Sequence, residues 1–312
     1  MPEQSSRGER GLRKERASPP KGVSEPVPSS FPRRVPPART AKERQPLPRS
    51  AADLPQLGSA FWAIVDDGLG RLDLPLSSGA RAAIDTQARL LVAWNPFVNL
   101  TALRQTEQMA RGHILDSLSA VPLLRRLTHR RILDLGSGAE CPGLPLAVSL
   151  PASECALVDS VGKKQAFLDA AAQAASSALV AHAQVPPRFT ALAERAEDLA
   201  AQAGQREAWD VTTARAVGLL AEVLELCLPL TRIGGHVVAW KRRPVDGSLE
   251  REIAAARPVM QAAGGGSLRV VQPAGLDEAG LPGHVLVVVR KVRPTPRRYP
   301  RPPADRMRAL LT

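Results

Sequence analysis

Disulfide chemistry has little to work with in this chain. Three cysteines in 312 residues, Cys141, Cys155 and Cys227, fall short of a disulfide framework and form no C-x-x-C pair, so a reducing compartment is the expectation. The five histidines form no cluster at ligand spacing, and no metal is expected. No run approaches the roughly 18 apolar residues that a membrane helix needs, and "MPEQSSRGERGLRKER" has no apolar segment of a secretory signal. A soluble, cytoplasmic protein that contacts no membrane is expected. There is no internal repeat.

Charge is plentiful but unevenly placed. Residues 1–50 carry 12 basic and 5 acidic side chains and residues 290–312 carry 8 and 1, whereas the stretch between them is close to neutral. A neutral body with two cationic arms points to a polyanionic partner, nucleic acid before any other. Residues 1–52, rich in Pro, Arg and Ser, cannot bury enough surface to offset the entropy of ordering and are expected to be disordered.

From residue 53 to 128 the apolar spacing is helical, in "LPQLGSAFWAIVDDGLG", "SSGARAAIDTQARLLVAWN" and "TEQMARGHILDSLSAVPLL", with Thr106 placed to cap the third helix. From 129 to 293 short apolar runs alternate with helical stretches. Strands are expected at "RILDL", "CALVD", "RFTAL", "DVTTARA", "HVVAWK", "LRVVQ" and "HVLVVVRKV", with helices near 142–149, 162–178, 194–202, 218–229 and 248–262. That alternation is an α/β, doubly wound sheet, mostly parallel, whose last two strands lack a helix between them and pair antiparallel. Pro-rich residues 294–312 are expected to leave the fold as an extended basic tail.

The first strand runs into "DLGSG", the place where such a sheet presents a ligand. A dinucleotide site would need a third small residue after Gly136 and Gly138. Cys141 stands there with Glu140 beside it, and a carboxylate is unfavourable next to a diphosphate. The loop suits a ligand without phosphates, such as S-adenosylmethionine. Asp134 closes the first strand and Asp159 the second, 21 residues after Gly138, where a carboxylate can accept both ribose hydroxyls. The alternative for both is an acid that caps a loop at a strand end. Glu197 follows the third strand, where adenine contacts fall or an acid simply opens a helix, and Arg215 follows the fourth, at the mouth of the pocket or in a surface salt bridge.

"WNPFVNLT" (94–101), "HILDS" (113–117), "DLGSGAECPGLPLA" (134–147), "LVDSVGKKQAFL" (157–168), "ERAEDL" (194–199), "TARAV" (213–217) and "PTPRRYPR" (294–301) resemble, in that order, the motif series of the RsmG/GidB family. That family comprises bacterial small-subunit (16S) ribosomal RNA methyltransferases acting on guanine N7. The resemblance implies a Rossmann-like class I methyltransferase core, S-adenosylmethionine as methyl donor, and 16S rRNA or the small ribosomal subunit as partner. The family's donor contacts fall here on Gly136, Gly138, Cys141, Asp159, Ala196, Glu197 and Arg215. Lys163, Lys164, Arg195, Lys241, Arg297 and Arg298 are candidates to hold RNA phosphates.

Guanine N7 carries an in-plane lone pair and no proton, so the implied reaction needs no base. His113 and Asp116, three apart on one helix face, are read as braces of the helical section, and Asn95 and Asn99 as ties of a structural turn around a packed Trp94. Arg215 would position the base or the donor's carboxylate. The chain departs from the family at Glu140, where Gly is usual, at Cys141, Gly112 and Arg242, and in "RPPADRMRALLT". Glu140 would either strain a loop built for φ > 0 or set a carboxylate near the sulfonium. The alternatives are a methyltransferase for another substrate, and a non-catalytic RNA-binding or ribosome assembly factor.

Overall fold

The structure, a computed structural model, describes residues 46–306. Most of the N-terminal segment expected to be disordered lies outside them, but its last residues do not. Ala51 is buried, the Pro48 carbonyl accepts the Trp94 indole N–H at 2.7 Å, and Arg89 donates to the carbonyls of Ala51, Leu54 and Pro55. The ordered chain therefore begins before residue 53.

The helical section opens with α1 (Ser59–Arg71) and α2 (Ser78–Val98). Ser77 caps α2 by accepting the Ala80 N–H, and Asn99 ends it in the left-handed conformation with φ 55°. The third helix expected from residues 106–124 is broken into α3 (Thr106–Met109), a π-helical turn (Ala110–Leu115), α4 (Asp116–Leu118) and α5 (Val121–Leu124). Thr106 does not cap it; its hydroxyl faces Glu107 instead. A π turn shifts side-chain phase and frees a carbonyl, and here it aims Gly112 and His113 at the sheet.

The sheet contains β1 (Arg131–Leu135), β2 (Glu154–Val158), β3 (Arg188–Leu192), β4 (Trp209–Arg215), β5 (Thr231–Arg242), β6 (Gly265–Val271) and β7 (His284–Lys291), in the order β3-β2-β1-β4-β5-β7-β6. The pairs among β3, β2, β1, β4 and β5 are parallel, and β7 runs antiparallel to both β5 and β6. Covered on both faces, β1, β2 and β4 are buried almost throughout, which is why they read as unbroken apolar runs.

Helices α6 (Gly143–Ser149) and α7 (Gly162–Ala181) pack with α2, and Trp94 meets Phe167 with ring centroids 5.7 Å apart. Helices α8 (Ala196–Ala201), α9 (Leu220–Cys227) and α10 (Ser248–Ala262) belong to the second core layer. The carboxyl ends of β1, β2, β4 and β5 thus open on one edge, where helical section and sheet meet.

Residues 294–306 of the C-terminal tail do not leave the fold. Lys291, fully buried, donates to Glu207 at 2.6 Å and to the Leu228 carbonyl at 2.7 Å. The Glu207 carboxylate also accepts the Thr295 N–H, Arg301 forms a bidentate pair with Glu225, and Tyr299 is buried. Two of the tail's cations, Arg301 and Arg306, and Lys291 at the end of β7 are spent on acids of the body. Tail composition predicted an arm; long-range ion pairs make it a strap.

Candidate functional site

The loop after β1 folds back on the end of β2. The N–H groups of Gly136 and Ser137 both donate to the Val158 carbonyl, at 2.8 and 2.9 Å, and the Gly138 N–H donates to Asp159 Oδ2 at 3.1 Å. Gly136 has φ 75°, and a Cβ there would lie 2.6 Å from a Val217 methyl, so only glycine meets both demands. Asp134 holds this loop from beneath: it is fully buried and accepts the Gly143 N–H at 3.0 Å and the Thr213 hydroxyl at 2.7 Å. Burial pushes its pKa up to about 6 against those donors. Of its two sequence readings, the loop cap is the one realised.

Asp159 stands at the end of β2, with Oδ1 accepting the Val161 N–H at 2.9 Å and Oδ2 paired with Lys164 Nζ at 3.0 Å. It lines a cavity of about 360 Å³ together with Arg195, Ala196, Glu197 and Glu222. Arg306 reaches into the same cavity from the C-terminal strap and takes the Glu197 carboxylate. Glu197 is therefore an ion-pair partner here, and Ala196 a buried residue at the helix start.

Glu140 has φ 63°, the conformation expected of a glycine. Its carboxyl is fully buried, neither oxygen has a partner, and it lies apart from the residues that line the cavities. Burial, with Asp169 and Asp134 nearby, drives its pKa well up, so the group is carried as the neutral acid. The positive φ expected of a glycine is thus adopted by a glutamate whose side chain turns inward. Cys141 does line the larger cavity, where Gln87 Nε2 faces its Sγ at 3.4 Å and burial raises its pKa.

That larger cavity, about 560 Å³, shares Gly136, Lys164, Ala216 and Val217 with the first and extends to the ends of β4, β5 and β7. Arg215 Nη1 donates to Asp116 Oδ2 and to the Gly112 carbonyl, both at 2.8 Å, and Nη2 faces His113 Nδ1 at 3.2 Å. Asp116 Oδ1 accepts His284 Nδ1–H at 2.9 Å, and the Asp116 carbonyl accepts the Trp240 indole N–H at 2.7 Å. His113 and Asp116 do brace the helical section on the sheet, and both also line the cavity. His113 has its pKa lowered to about 3, by burial first and by Arg215 second. With Nδ1 facing a guanidinium, it offers no lone pair to a substrate proton and cannot act as a base there. Asn95 closes the preceding turn through two 3.0 Å bonds with the Thr101 backbone.

The candidate phosphate contacts divide. Lys163, Arg195, Arg297 and Arg298 are exposed, whereas Lys164 is paired with Asp159 and Lys241 with Glu252 at 2.6 Å. Sequence reasoning missed His284, whose strand gave no cue, and a separate cleft of about 440 Å³ lined by Arg126, His236, Arg269 and Arg290. Among the described residues no group of three His, Cys, Asp or Glu could hold a metal, and no helix is long and apolar enough to cross a membrane.

S-adenosylmethionine would fit these cavities. The smaller has Asp159, Glu194, Glu197 and Glu222 against Lys164, Arg195 and Arg306, a balance that disfavours a diphosphate and accepts a sulfonium nucleoside. Both volumes fall in the ordinary range for small-molecule sites.

Residues 81–274 match the family model for rRNA small subunit methyltransferase G. A ribosomal RNA small subunit methyltransferase G of Roseiflexus sp. is 40% identical over 68% of this chain and 83% of its own length. The protein of that name from Symbiobacterium thermophilum is 32% identical over 78% of this chain and 95% of its own. Among solved structures, the 16S rRNA N2 G1207 methyltransferase of T. thermophilus aligns over 57% of this chain and 40% of that one, at 16% identity and a TM-score of 0.34.

Proposed function

This chain belongs to the rRNA small subunit methyltransferase G family, and on that premise we propose that it methylates N7 of one guanine in 16S ribosomal RNA, with S-adenosylmethionine as donor. The observation that carries this reading is the pair of adjoining cavities that share Gly136, Lys164, Ala216 and Val217. Its β2 end offers an acid at ribose position, and its β4–β5–β7 end offers room for a base beside a guanidinium already neutralised by Asp116.

The donor, when bound, supplies a methyl group activated by sulfonium charge. Asp159 would accept the ribose hydroxyls, with Lys164 yielding its place on Oδ2, and Gly136, Gly138 and Cys141 would line the donor's course through the larger cavity. Ala196 and Glu197 flank the end where adenine would lie, and releasing Glu197 for that task would require Arg306 to move. Arg215 positions: three of its contacts are fixed to Gly112, His113 and Asp116, so it holds the cavity wall in place and leaves its remaining N–H groups for the base or for the donor's carboxylate. No residue needs to take a proton from guanine N7. Catalysis by alignment alone is adequate, since orientation recovers about 7–11 kcal/mol of a bimolecular barrier. In the A-form duplex the Hoogsteen edge is inaccessible, so the target guanine must be unpaired or extruded. The exposed Lys163, Arg195, Arg297 and Arg298 would hold flanking phosphates.

Labelled donor, purified protein and small subunits lacking the modification test the reading. N7 methylation makes the glycosidic bond labile after borohydride reduction, so one new aniline cleavage site is expected. Label on another base or on protein would instead support a methyltransferase for a different substrate, and RNA binding with no transfer would support an assembly factor.

A further inference from the structure

We propose that the Thr101 hydroxyl is the group that selects guanine, by donating a hydrogen bond to O6 that it cannot reverse; this rests on the guanine N7 reading above. A threonine hydroxyl is ordinarily unselective, because it can turn to donate to a carbonyl or to accept from an amino group. Thr101 has lost that choice. Its oxygen accepts the Leu103 N–H at 3.1 Å and lies 2.8 Å from His113 Nε2.

The direction of the second bond is set one group further on. Arg215 Nη2 has only protons to offer and faces His113 Nδ1, so Nδ1 carries the lone pair and Nε2 carries the proton. Burial and the guanidinium keep the ring neutral, with a pKa of about 3. Both acceptor positions of the hydroxyl are thus filled by N–H donors. Its single proton has no acceptor among the described residues, and Thr101 lines the larger cavity.

The position is as fixed as the polarity. Asn95 locks the Thr101 backbone from both sides, at 3.0 Å in each direction. Thr101 shares its cavity with Trp240, Arg242 and His284 on β5 and β7, and is absent from the lining of the smaller cavity that holds Asp159. It therefore lines the cavity in which a base would meet the donor loop, away from the Asp159 end.

A purine attacking through N7 turns its Hoogsteen edge toward the donor. Beside N7, guanine carries the O6 acceptor and adenine the N6 amino donor. A hydroxyl able only to donate pairs with the first and leaves two protons facing each other with the second. Selectivity of this kind is strong because the wrong base strands a polar group without its partner. His113 and Arg215 then act through Thr101, as residues that set its polarity.

The test compares wild type, T101V and T101S on small subunits carrying guanine or adenine at the mapped position, with equilibrium binding of the RNA and of S-adenosylhomocysteine measured alongside. T101V should lose roughly tenfold to a hundredfold in single-turnover transfer to guanine, one hydrogen bond's worth, and its preference for guanine RNA should shrink. T101S should restore both, and product affinity should stay within about threefold of wild type in all three proteins. Unchanged guanine preference in T101V would overturn the assignment, as would a loss confined to S-adenosylhomocysteine affinity, which would place the hydroxyl on the donor side. Wild-type label at an atom other than guanine N7 would sink the parent reading instead, independently of any variant.

Discussion

The two halves of the site are built in opposite ways. The half proposed to hold the donor is local: Gly136, Gly138 and Asp159 sit on two adjacent strand ends, joined by the backbone bonds that fold the loop. The acceptor half is assembled from distant pieces. Asp116 meets Arg215 across 99 residues and His284 across 168, and Thr101 joins through His113. A local site is tolerant of changes elsewhere and is read easily from one motif. A distributed site ties the helical section to the sheet, so its integrity and the stability of the fold are one quantity.

The largest effect should come from cutting the knot of the acceptor half. Asp116→Ala leaves Arg215 buried without its carboxylate and frees His284, and should cost about 3–5 kcal/mol of stability, read as a fall in denaturant midpoint. Asp116→Asn, which keeps the shape, should cost less. If D116A proves as stable as wild type, the two halves do not differ in the way described.

Glu140 tests the donor half. Burial holds the folded-state pKa of this acid well above the ordinary 4.5 at which it ionises in the unfolded chain. The folded state thus binds the extra proton, and this group's effect is to lower stability as pH rises through the range above 4.5. Glu140→Gln keeps the bulk and removes the titration. It should be the more stable protein at pH 8 by about 1–3 kcal/mol, with the gap closing toward pH 5. Asp134, raised to about 6, leaves a smaller slope of the same sign in both proteins. Parallel stability curves for wild type and E140Q would show that the carboxyl is not buried as an acid.

The smallest effect belongs to the strap. Removing residues 290–312 would unseat Lys291 and Tyr299 from the core, so charge is better removed in place. Arg297→Gln with Arg298→Gln should reduce the logarithmic salt slope of RNA binding by about 0.7 for each phosphate no longer neutralised. An identical slope would exclude both from the interface.

Legibility followed the same division. All seven strands and the helices between them could be read because buried parallel strands write continuous apolar runs and the crossovers write helical ones. The order placing β7 between β5 and β6 agrees with the missing crossover helix. In the donor half, the loop and Asp159 were visible at their expected spacing, while the inward turn of Glu140 was not, since both outcomes satisfy the same string. The break of the third helix was invisible because apolar residues keep helical phase through 106–124, and a π turn changes backbone pairing without changing composition. The strap was misread because Pro and Arg look the same whether solvated or paired with Glu225 and Glu197. His284 announces nothing locally; only its register opposite Arg242 brings it to Asp116.

We hold that the β2 end binds the donor while the β4–β5–β7 end receives the RNA. Calorimetric titration of Asp159→Ala with S-adenosylmethionine, paired with RNA binding by the same protein, tests it most directly. Loss of a charge-assisted bond of about 1.5–3 kcal/mol predicts donor affinity weakened tenfold or more, with RNA affinity unchanged. A folded variant that binds the donor as tightly as wild type, or that loses RNA affinity instead, would contradict it.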